Sequence, residues 1–159
     1  MAKVKPIPDG YHTITPYLTV RGAAQAIEFY KKAFGAEEIY RRATPDGRIL
    51  HAELRLGDSI FMLGDEFPEM GGRGGPLALG GTAVGLFLYV TDVDGAFARA
   101  IAAGAKVTMP LADMFWGDRY GKLIDPFGHE WALATHKEDV GPEEMDRRAE
   151  EAMKARSKT

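Results

Sequence analysis

Hydrophobic and polar residues alternate over residues 13–20, and the spacing then changes to that of a helix. After residues 21–22 (Arg-Gly), apolar residues recur every three or four positions until Gly35, which suits the position where a helix ends in the left-handed conformation. The apolar positions are Ala23, Ala26, Ile27, Tyr30 and Phe34. This pattern predicts a strand over 13–20 and a helix over about 23–34.

Three more strands are predicted before residue 66. Residues 36–43 form the first of them, and residues 44–47 (Thr-Pro-Asp-Gly) form a turn, because proline presets φ and glycine accepts positive φ. Residues 48–56 alternate strictly, and a further turn leads into a strand over 59–63. The alternation places Ala52, Leu54 and Leu56 on one face and His51, Glu53 and Arg55 on the other.

The same order of elements begins again after a stretch rich in glycine and proline, residues 71–81, which we interpret as a linker. A strand over 82–90 and a helix after Asp92 follow, and residues 18–36 align by letter with residues 88–105. Further strands are predicted near 106–110, near 122–125 and over 130–135. The chain therefore uses one strand–helix–strands module twice, with module one at about 11–66, the linker at about 67–81 and module two at about 82–136.

Residues 140–156 depart from this repeat and predict a helical tail. Pro142 suits the first position of a helix, and a narrow apolar stripe runs among many charged residues. The stripe consists of Met145, Ala149, Ala152 and Met153. Two interpretations are open: a solvated or frayed terminus, or a helix that packs on a dimer partner.

Composition limits the classes of function. The 159 residues, 45% hydrophobic and 27% charged, are typical of one globular domain, and a net charge of −3 gives no broad basic surface for nucleic acid. No apolar run approaches the ~20 residues of a membrane helix, and no signal peptide is evident, so we expect a cytoplasmic protein without membrane association. The absence of cysteine excludes disulfides and thiolate chemistry, and leaves His, Asp and Glu as the metal ligands available.

Several motifs together resemble the vicinal oxygen chelate superfamily, which includes glyoxalase I, bleomycin resistance proteins and extradiol dioxygenases. The likeness is to its PhnB-like, glyoxalase/bleomycin-resistance-type members and covers about residues 11–139. The motifs are TPYL at 15–18, FYKKAFGA at 29–36, GDSIFMLGDE at 57–66, FWGDRYG at 115–121 and DPFGHEW at 125–131. The resemblance implies an α+β fold in which two tandem βαβββ modules form a curled mixed sheet around a cavity, here followed by a C-terminal helix. It also implies a homodimer.

The chelating members of that superfamily hold a divalent metal with residues from the first and fourth strands of each module. The resemblance carries these positions to Thr15, Met62 (or Phe61, if the hairpin is offset by one residue), Gly85 and Ala132. None of them offers an imidazole nitrogen or a carboxylate oxygen. We therefore expect no metal and no other cofactor, with the cavity retained.

The residues expected to bind a ligand combine aromatic rings with a few polar groups, as small-molecule pockets do. Phe115 or Trp116 would stack on a planar ligand and Arg119 would pair with a carboxylate or phosphate. In the alternative interpretation, Asp118 and Arg119 pair with each other and the aromatic residues fill the core. The predicted ligand-binding set is Tyr17, His51, Glu53, Arg55, Met62, Phe87, Tyr89, Phe115, Trp116, Asp118 and Arg119.

The first hypothesis is thus a homodimeric protein that binds a small aromatic or anionic molecule without a metal. A second is a lyase, isomerase or dioxygenase, either with a metal on a rearranged set (His51, Glu53 and His129) or metal-free, with His51 and Arg119 as catalytic groups. Against it, the row of His51 and Glu53 is more typical of a strand that faces solvent or a dimer partner, and His129 is more typical of a turn or hydrogen-bonding residue. A third is a module that acts only through a partner protein bound by the C-terminal helix.

Overall fold

The computed structural model describes residues 4–157, which form two four-stranded sheets and the helices that cover them. The first module contains β1 (Tyr17–Val20), α1 (Ala23–Phe34), β2 (Glu37–Ala43), β3 (Ile49–Leu56) and β4 (Ser59–Asp65). A 3₁₀ turn (Pro68–Met70) and the short helix α2 (Pro76–Leu79) occupy the linker. The second module contains β5 (Gly85–Tyr89), α3 (Val93–Ala103), β6 (Lys106–Asp113), β7 (Asp118–Ile124) and β8 (Glu130–His136), and α4 (Pro142–Arg156) follows.

The two sheets have the same topology, which confirms the predicted tandem βαβββ fold. Their strand orders are β1-β4-β3-β2 and β5-β8-β7-β6. In each sheet the first strand runs parallel to the fourth and the other pairs are antiparallel. The sheets do not close on each other, so β1 and β5 are edge strands.

The helices α1 and α3 pack against each other and against one face of each sheet. Helix α1 ends at Gly35, whose φ of 72° is left-handed as the sequence predicts. Asp92 caps the N-terminus of helix α3: its carboxylate accepts a hydrogen bond from the Gly95 amide. Trp131 lies in the resulting core beside Phe34 and Tyr30, with ring centroids 4.6 and 5.4 Å away.

Polar contacts also join the modules. The Tyr30 hydroxyl of α1 donates to Asp125 at 2.7 Å, and His129 Nε2 lies 3.1 Å from the Thr19 carbonyl of β1. His129 is therefore a buried residue of the β7–β8 turn whose ring joins the two modules.

Some element boundaries differ from the prediction. Strand β1 begins at Tyr17 and not at residue 13. The Pro16 carbonyl accepts a hydrogen bond from the Met62 amide at 2.8 Å, but the ladder goes no further because proline has no N–H to donate. Strand β6 runs on to Asp113, since Pro110 lies at a register shift in an edge strand, where a missing donor is tolerated.

The aromatic segment 114–120 is a β-hairpin turn and the start of β7. Gly117 has φ 97°, and a Cβ atom there would collide with the Glu138 carbonyl, so this turn needs glycine. The amides of Lys137 and Glu138 both donate to the Gly117 carbonyl. The turn therefore fixes the segment that leads into α4. Among residues 4–157 no helix is long and apolar enough to cross a membrane.

Candidate ligand-binding site

Five aromatic side chains cluster on the second sheet, on the face opposite α3, and we call them the aromatic site. Phe87 stacks on Tyr120 with ring centroids 5.6 Å apart, and Trp116 meets Tyr120 edge-on at 5.5 Å. Tyr89 and Phe115 extend the cluster, at 4.9 Å from Phe87 and 5.0 Å from Trp116. Four of these five were predicted from strand alternation and the 114–120 motif; Tyr120 is added by the structure.

Asp118 is the polar anchor of the aromatic site. It is only 3% exposed, and its Oδ2 accepts hydrogen bonds from Tyr89 Oη at 3.0 Å and from Trp116 Nε1 at 3.1 Å. His136 Nδ1 lies 2.7 Å from the other carboxylate oxygen. The hydrogen bond to Asp118 is the main cause of the raised pKa of the Tyr89 phenol, because it favours the protonated donor. Asp118 thus fixes the orientation of two aromatic rings.

A cavity of about 700 Å³ lies between the aromatic site and α4. Its sheet side is formed by Met109, Met114, Phe115, Trp116 and Tyr120. Its helix side is formed by Ala149, Ala152 and Met153, with Arg156 and Asp113 also in the lining. Part of the apolar stripe of α4 therefore faces its own chain across this cavity, an arrangement that neither interpretation of the tail anticipated.

Ion pairs hold α4 over the cavity. The Arg148 guanidinium donates to Glu138 at 2.8 Å and to Glu144 at 2.6 Å, and also reaches the Phe115 carbonyl at 3.4 Å. Hydrogen bonds from Arg147 and Arg148 lower the pKa of Glu144 to about 2, so this carboxylate is ionised at neutral pH. The helix is thereby tied to the 114–117 turn.

The two predicted arginines have protein partners. Arg119 donates to Asp94 at 2.7 Å and to Asp113 at 3.3 Å, and Arg55 lies 3.9 Å from Glu37. The interpretation in which Asp118 and Arg119 pair with each other is wrong, because each bonds to other residues. A role for Arg119 or Arg55 in binding a ligand stays a prediction.

The first sheet brings together the other predicted residues, on its face opposite α1. His51 Nε2 lies 3.1 Å from Glu53 and His51 Nδ1 lies 3.2 Å from the Tyr17 hydroxyl, while Met62 pairs with Tyr17 and Glu53 in the sheet register. Tyr11 hydrogen-bonds to Glu53, and this contact, followed by the one from His51, lowers the pKa of that carboxyl. Burial, assisted by Glu53, raises the pKa of Tyr11 to about 12.

Sequence reasoning missed two parts of these sites. Tyr11 precedes β1 in an irregular segment, where no periodicity indicates what its side chain contacts. The α4 residues carried a signal, the apolar stripe, but an amphipathic pattern does not tell which surface it faces.

Comparison with known proteins agrees with this geometry. The sequence model of the Glyoxalase/Bleomycin resistance protein/Dioxygenase superfamily matches residues 10–133. The chain belongs to this superfamily.

Similar proteins occur in several bacteria. An uncharacterized protein of Mycobacterium bovis is 48% identical over 134 residues, which are 83% of this chain and 88% of that protein. The crystal structure of TioX from Micromonospora sp. ML1 has a TM-score of 0.63 and 30% identity, over 79% of this chain and 98% of TioX. The PhnB protein from Bacillus cereus shares the fold, with a TM-score of 0.61 and 24% identity over 78% of this chain and 99% of its own.

The metal positions of the chelating superfamily members do not fit a divalent cation here. The Thr15 hydroxyl donates a hydrogen bond to the His12 carbonyl. The side chains of Met62 and of the buried Ala132 offer no oxygen or imidazole nitrogen as a metal ligand, and Gly85 has no side chain. Among residues 4–157 no group of three or more His, Asp or Glu side chains is placed to hold a metal, and this includes His51, Glu53 and His129.

Proposed function

We propose that this superfamily member binds a small aromatic, anionic molecule, without a metal, in the cavity between α4 and the second sheet. The observation that carries the proposal is the lining of that cavity: aromatic and thioether side chains on one side and an apolar helix stripe on the other. We further propose that it does so as a cytoplasmic homodimer.

The size and chemistry of the cavity support a small ligand. Binding sites for small molecules typically enclose about 300–1,000 Å³ and combine apolar walls with a few polar groups. Trp116 offers a ring that Asp118 already orients, so stacking a planar ligand costs little side-chain entropy. Met109, Met114 and Met153 add flexible, polarizable contacts that adapt to ligand shape.

Arg156 supports an anionic group on the ligand. It lines the cavity, and it makes no ion pair with another residue of the described range 4–157. A guanidinium binds a carboxylate or phosphate through two parallel hydrogen bonds. Arg119, the arginine expected to do this from the sequence, is already paired with Asp94 and Asp113.

Exposed apolar side chains around β5 support the homodimer. Large apolar residues at five positions between 77 and 89 are about half exposed or more, and large exposed apolar patches are typical of protein–protein interaction sites. We call these the β5 patch: Leu77, Leu79, Val84, Phe87 and Tyr89. Because β5 is also an unpaired sheet edge, a second copy of the chain would cover both.

A thermal-shift screen tests the ligand proposal. Aromatic carboxylates, aryl phosphonates, antibiotics and thiol conjugates are each compared with a neutral amide of the same ring, where one exists. A ligand at about 100 times its Kd stabilises the folded state by about 2.7 kcal/mol, which raises Tm by about 5–10 °C for a domain of this size. Aromatic acids are expected to produce this shift.

Two variants locate the binding. Trp116→Ala is expected to abolish the shift, and Arg156→Gln to remove the preference for the acid over its amide. Lys154→Gln is the matched control, since it removes an equal charge from the same helix outside the cavity lining. Hits that persist in Trp116→Ala, or an acid preference lost equally in Lys154→Gln, would contradict the proposal.

A further inference from the structure

The groove between β1 and β5, which ligand binding at the aromatic site does not use, contains an unpaired strand edge. The Pro16 and Val20 carbonyls accept backbone hydrogen bonds on the β4 side of β1. Because the peptide groups of a strand point alternately to its two sides, those of Tyr17 and Thr19 point away from β4 and into the groove, which both residues line. The edge therefore presents the Tyr17 carbonyl and the Thr19 amide to a ligand.

His129 closes this edge at Thr19. The residue is only 8% exposed, and its Nε2 lies 3.1 Å from the Thr19 carbonyl. Since a carbonyl only accepts, Nε2 carries the hydrogen and donates it. The Thr19 carbonyl is thus not available to an added strand, and a segment that pairs with the Tyr17 carbonyl and the Thr19 amide ends there.

An unpaired cation lies near the closed end of the edge. Gly75 packs so tightly on β1 that a Cβ atom there would stand 2.6 Å from the Thr19 carbonyl, and its amide donates to Glu66 at 2.9 Å. Arg73 is two residues from Gly75, about 7 Å of chain at most, and it is exposed and lines the groove. It makes no ion pair with another residue of the described segment 4–157, whereas Glu66 is already paired with Arg21 at 3.2 Å.

We propose that this groove binds N-acyl amino acids with an apolar side chain. In a parallel pairing opposite Leu18, the amide N–H of the ligand donates to the Tyr17 carbonyl and its carboxylate accepts from the Thr19 amide. The same carboxylate, which ends the segment, pairs with the Arg73 guanidinium. Paired residues share one face of a sheet, so the ligand side chain lies beside Leu18 and against Leu86, which packs on the core. The groove volume of about 420 Å³ is in the range of small-molecule sites.

N-acetyl-L-leucine is the probe, because its aliphatic side chain brings no ring to stack in the aromatic site. In a ¹H–¹⁵N NMR titration of the full chain, we expect changes at the amides of Tyr17, Thr19 and residues 73–75, with the Thr19 proton moving downfield as it donates to a carboxylate. N-acetyl-L-leucine amide lacks the carboxylate, and N-acetyl-N-methyl-L-leucine lacks the N–H. Each is expected to bind about tenfold more weakly, because each loses a hydrogen bond that the groove offers.

Arg73→Gln tests the cation. The side chain is exposed and without an ion pair, so we expect an unchanged Tm, an affinity for N-acetyl-L-leucine about tenfold lower and an unchanged affinity for its amide. Arg42→Gln is the matched control, since it removes the charge of another exposed arginine outside the groove lining and should bind as the wild type does. Equal binding of the acid by wild type and Arg73→Gln, or an equal loss in Arg42→Gln, would overturn the assignment.

The inference is independent of the aromatic site and of the homodimer. Trp116→Ala is expected to keep N-acetyl-L-leucine binding while it loses thermal shifts by aromatic acids, and Arg73→Gln is expected to keep the wild-type sedimentation coefficient. The proposals therefore fail separately. Changes at the Trp116 indole N–H in place of the Thr19 amide would put the probe in the aromatic cavity and contradict a site in the groove.

Discussion

Asp125 shows at the level of one residue how the two modules are joined. It is 4% exposed, and its Oδ2 accepts hydrogen bonds from Tyr30 Oη at 2.7 Å and Trp131 Nε1 at 2.9 Å. Its Oδ1 accepts from the amides of Phe127 and His129. Burial, followed by Asp125, raises the pKa of the Tyr30 phenol well above its usual range, which keeps this hydroxyl a donor.

Asp125→Ala is expected to destabilise the fold strongly. The substitution leaves the Tyr30 hydroxyl, the Trp131 indole N–H and two amides without their acceptor, and each buried unpaired donor costs about 1–3 kcal/mol. We expect a loss of at least about 3 kcal/mol in the free energy of unfolding, measured by urea denaturation. Tyr30→Phe removes one donor only and should cost about 1–2 kcal/mol; an equal cost for the two variants would contradict this account.

His136 gives stability a dependence on pH. Hydrogen bonds to Asp139 and then to Asp118 raise the pKa of this imidazole, so the folded state binds a proton more tightly than the unfolded chain, where the pKa is about 6.5. The stabilisation by protonated His136 is fully present below about pH 6.5, and it is lost as the pH rises through the pKa of His136 in the folded state. The Tm difference between wild type and His136→Gln should therefore shrink from pH 6 to pH 9. A constant difference would show that the charge is not involved, and His12→Gln serves as the reference.

The sequence predicted which face these residues occupy better than it predicted their partners. Strict alternation over 48–56 correctly places His51 and Glu53 on the face opposite the core, because side chains in a strand alternate with period two. Alternation carries no information on contacts across long sequence distances, so neither the bonds from Tyr89 and His136 to Asp118 nor the one from Tyr11 to Glu53 could be inferred.

Helix α4 is the element whose role changes most between sequence and structure. Its apolar stripe was correctly predicted, but amphipathicity specifies a face and not the surface that the face meets. The deciding contacts are Arg148 with Glu138 and with the Phe115 carbonyl. They depend on how the 114–117 turn packs against residues 137–138, which is a tertiary feature.

Deleting residues 141–159 tests α4 as the wall of the cavity. No α4 residue is fully buried, so the two modules are expected to keep their fold and far-UV circular dichroism. Removal of the helix exposes Trp116, whereas Trp131 stays in the core, so tryptophan emission should shift to the red. Thermal shifts by aromatic acids should disappear. A truncated chain that still binds them would place the site elsewhere.

At the scale of the whole molecule, the two open sheets have four edge strands, β1 and β2 in the first sheet and β5 and β6 in the second. Strands β1 and β5 each pair on one side only, and an open groove of about 420 Å³ lies between them. Leu79 and Val84 of the β5 patch line this groove and are 71% and 68% exposed. An edge of this kind attracts another chain unless charge or a covering element protects it.

The homodimer proposal predicts a specific sensitivity of assembly to the β5 patch. Sedimentation velocity should give twice the 17.4 kDa of one chain at micromolar concentration. Leu79→Glu with Val84→Glu should yield a monomer of unchanged Tm at low concentration, because both side chains already face solvent within one chain and their burial would occur only between copies. Ile101→Glu, 43% exposed on α3, introduces the same charge outside the patch and should stay dimeric. If the double variant remained a dimer, the second copy would have to bind another surface, and the exposed residues around β5 would need a different partner.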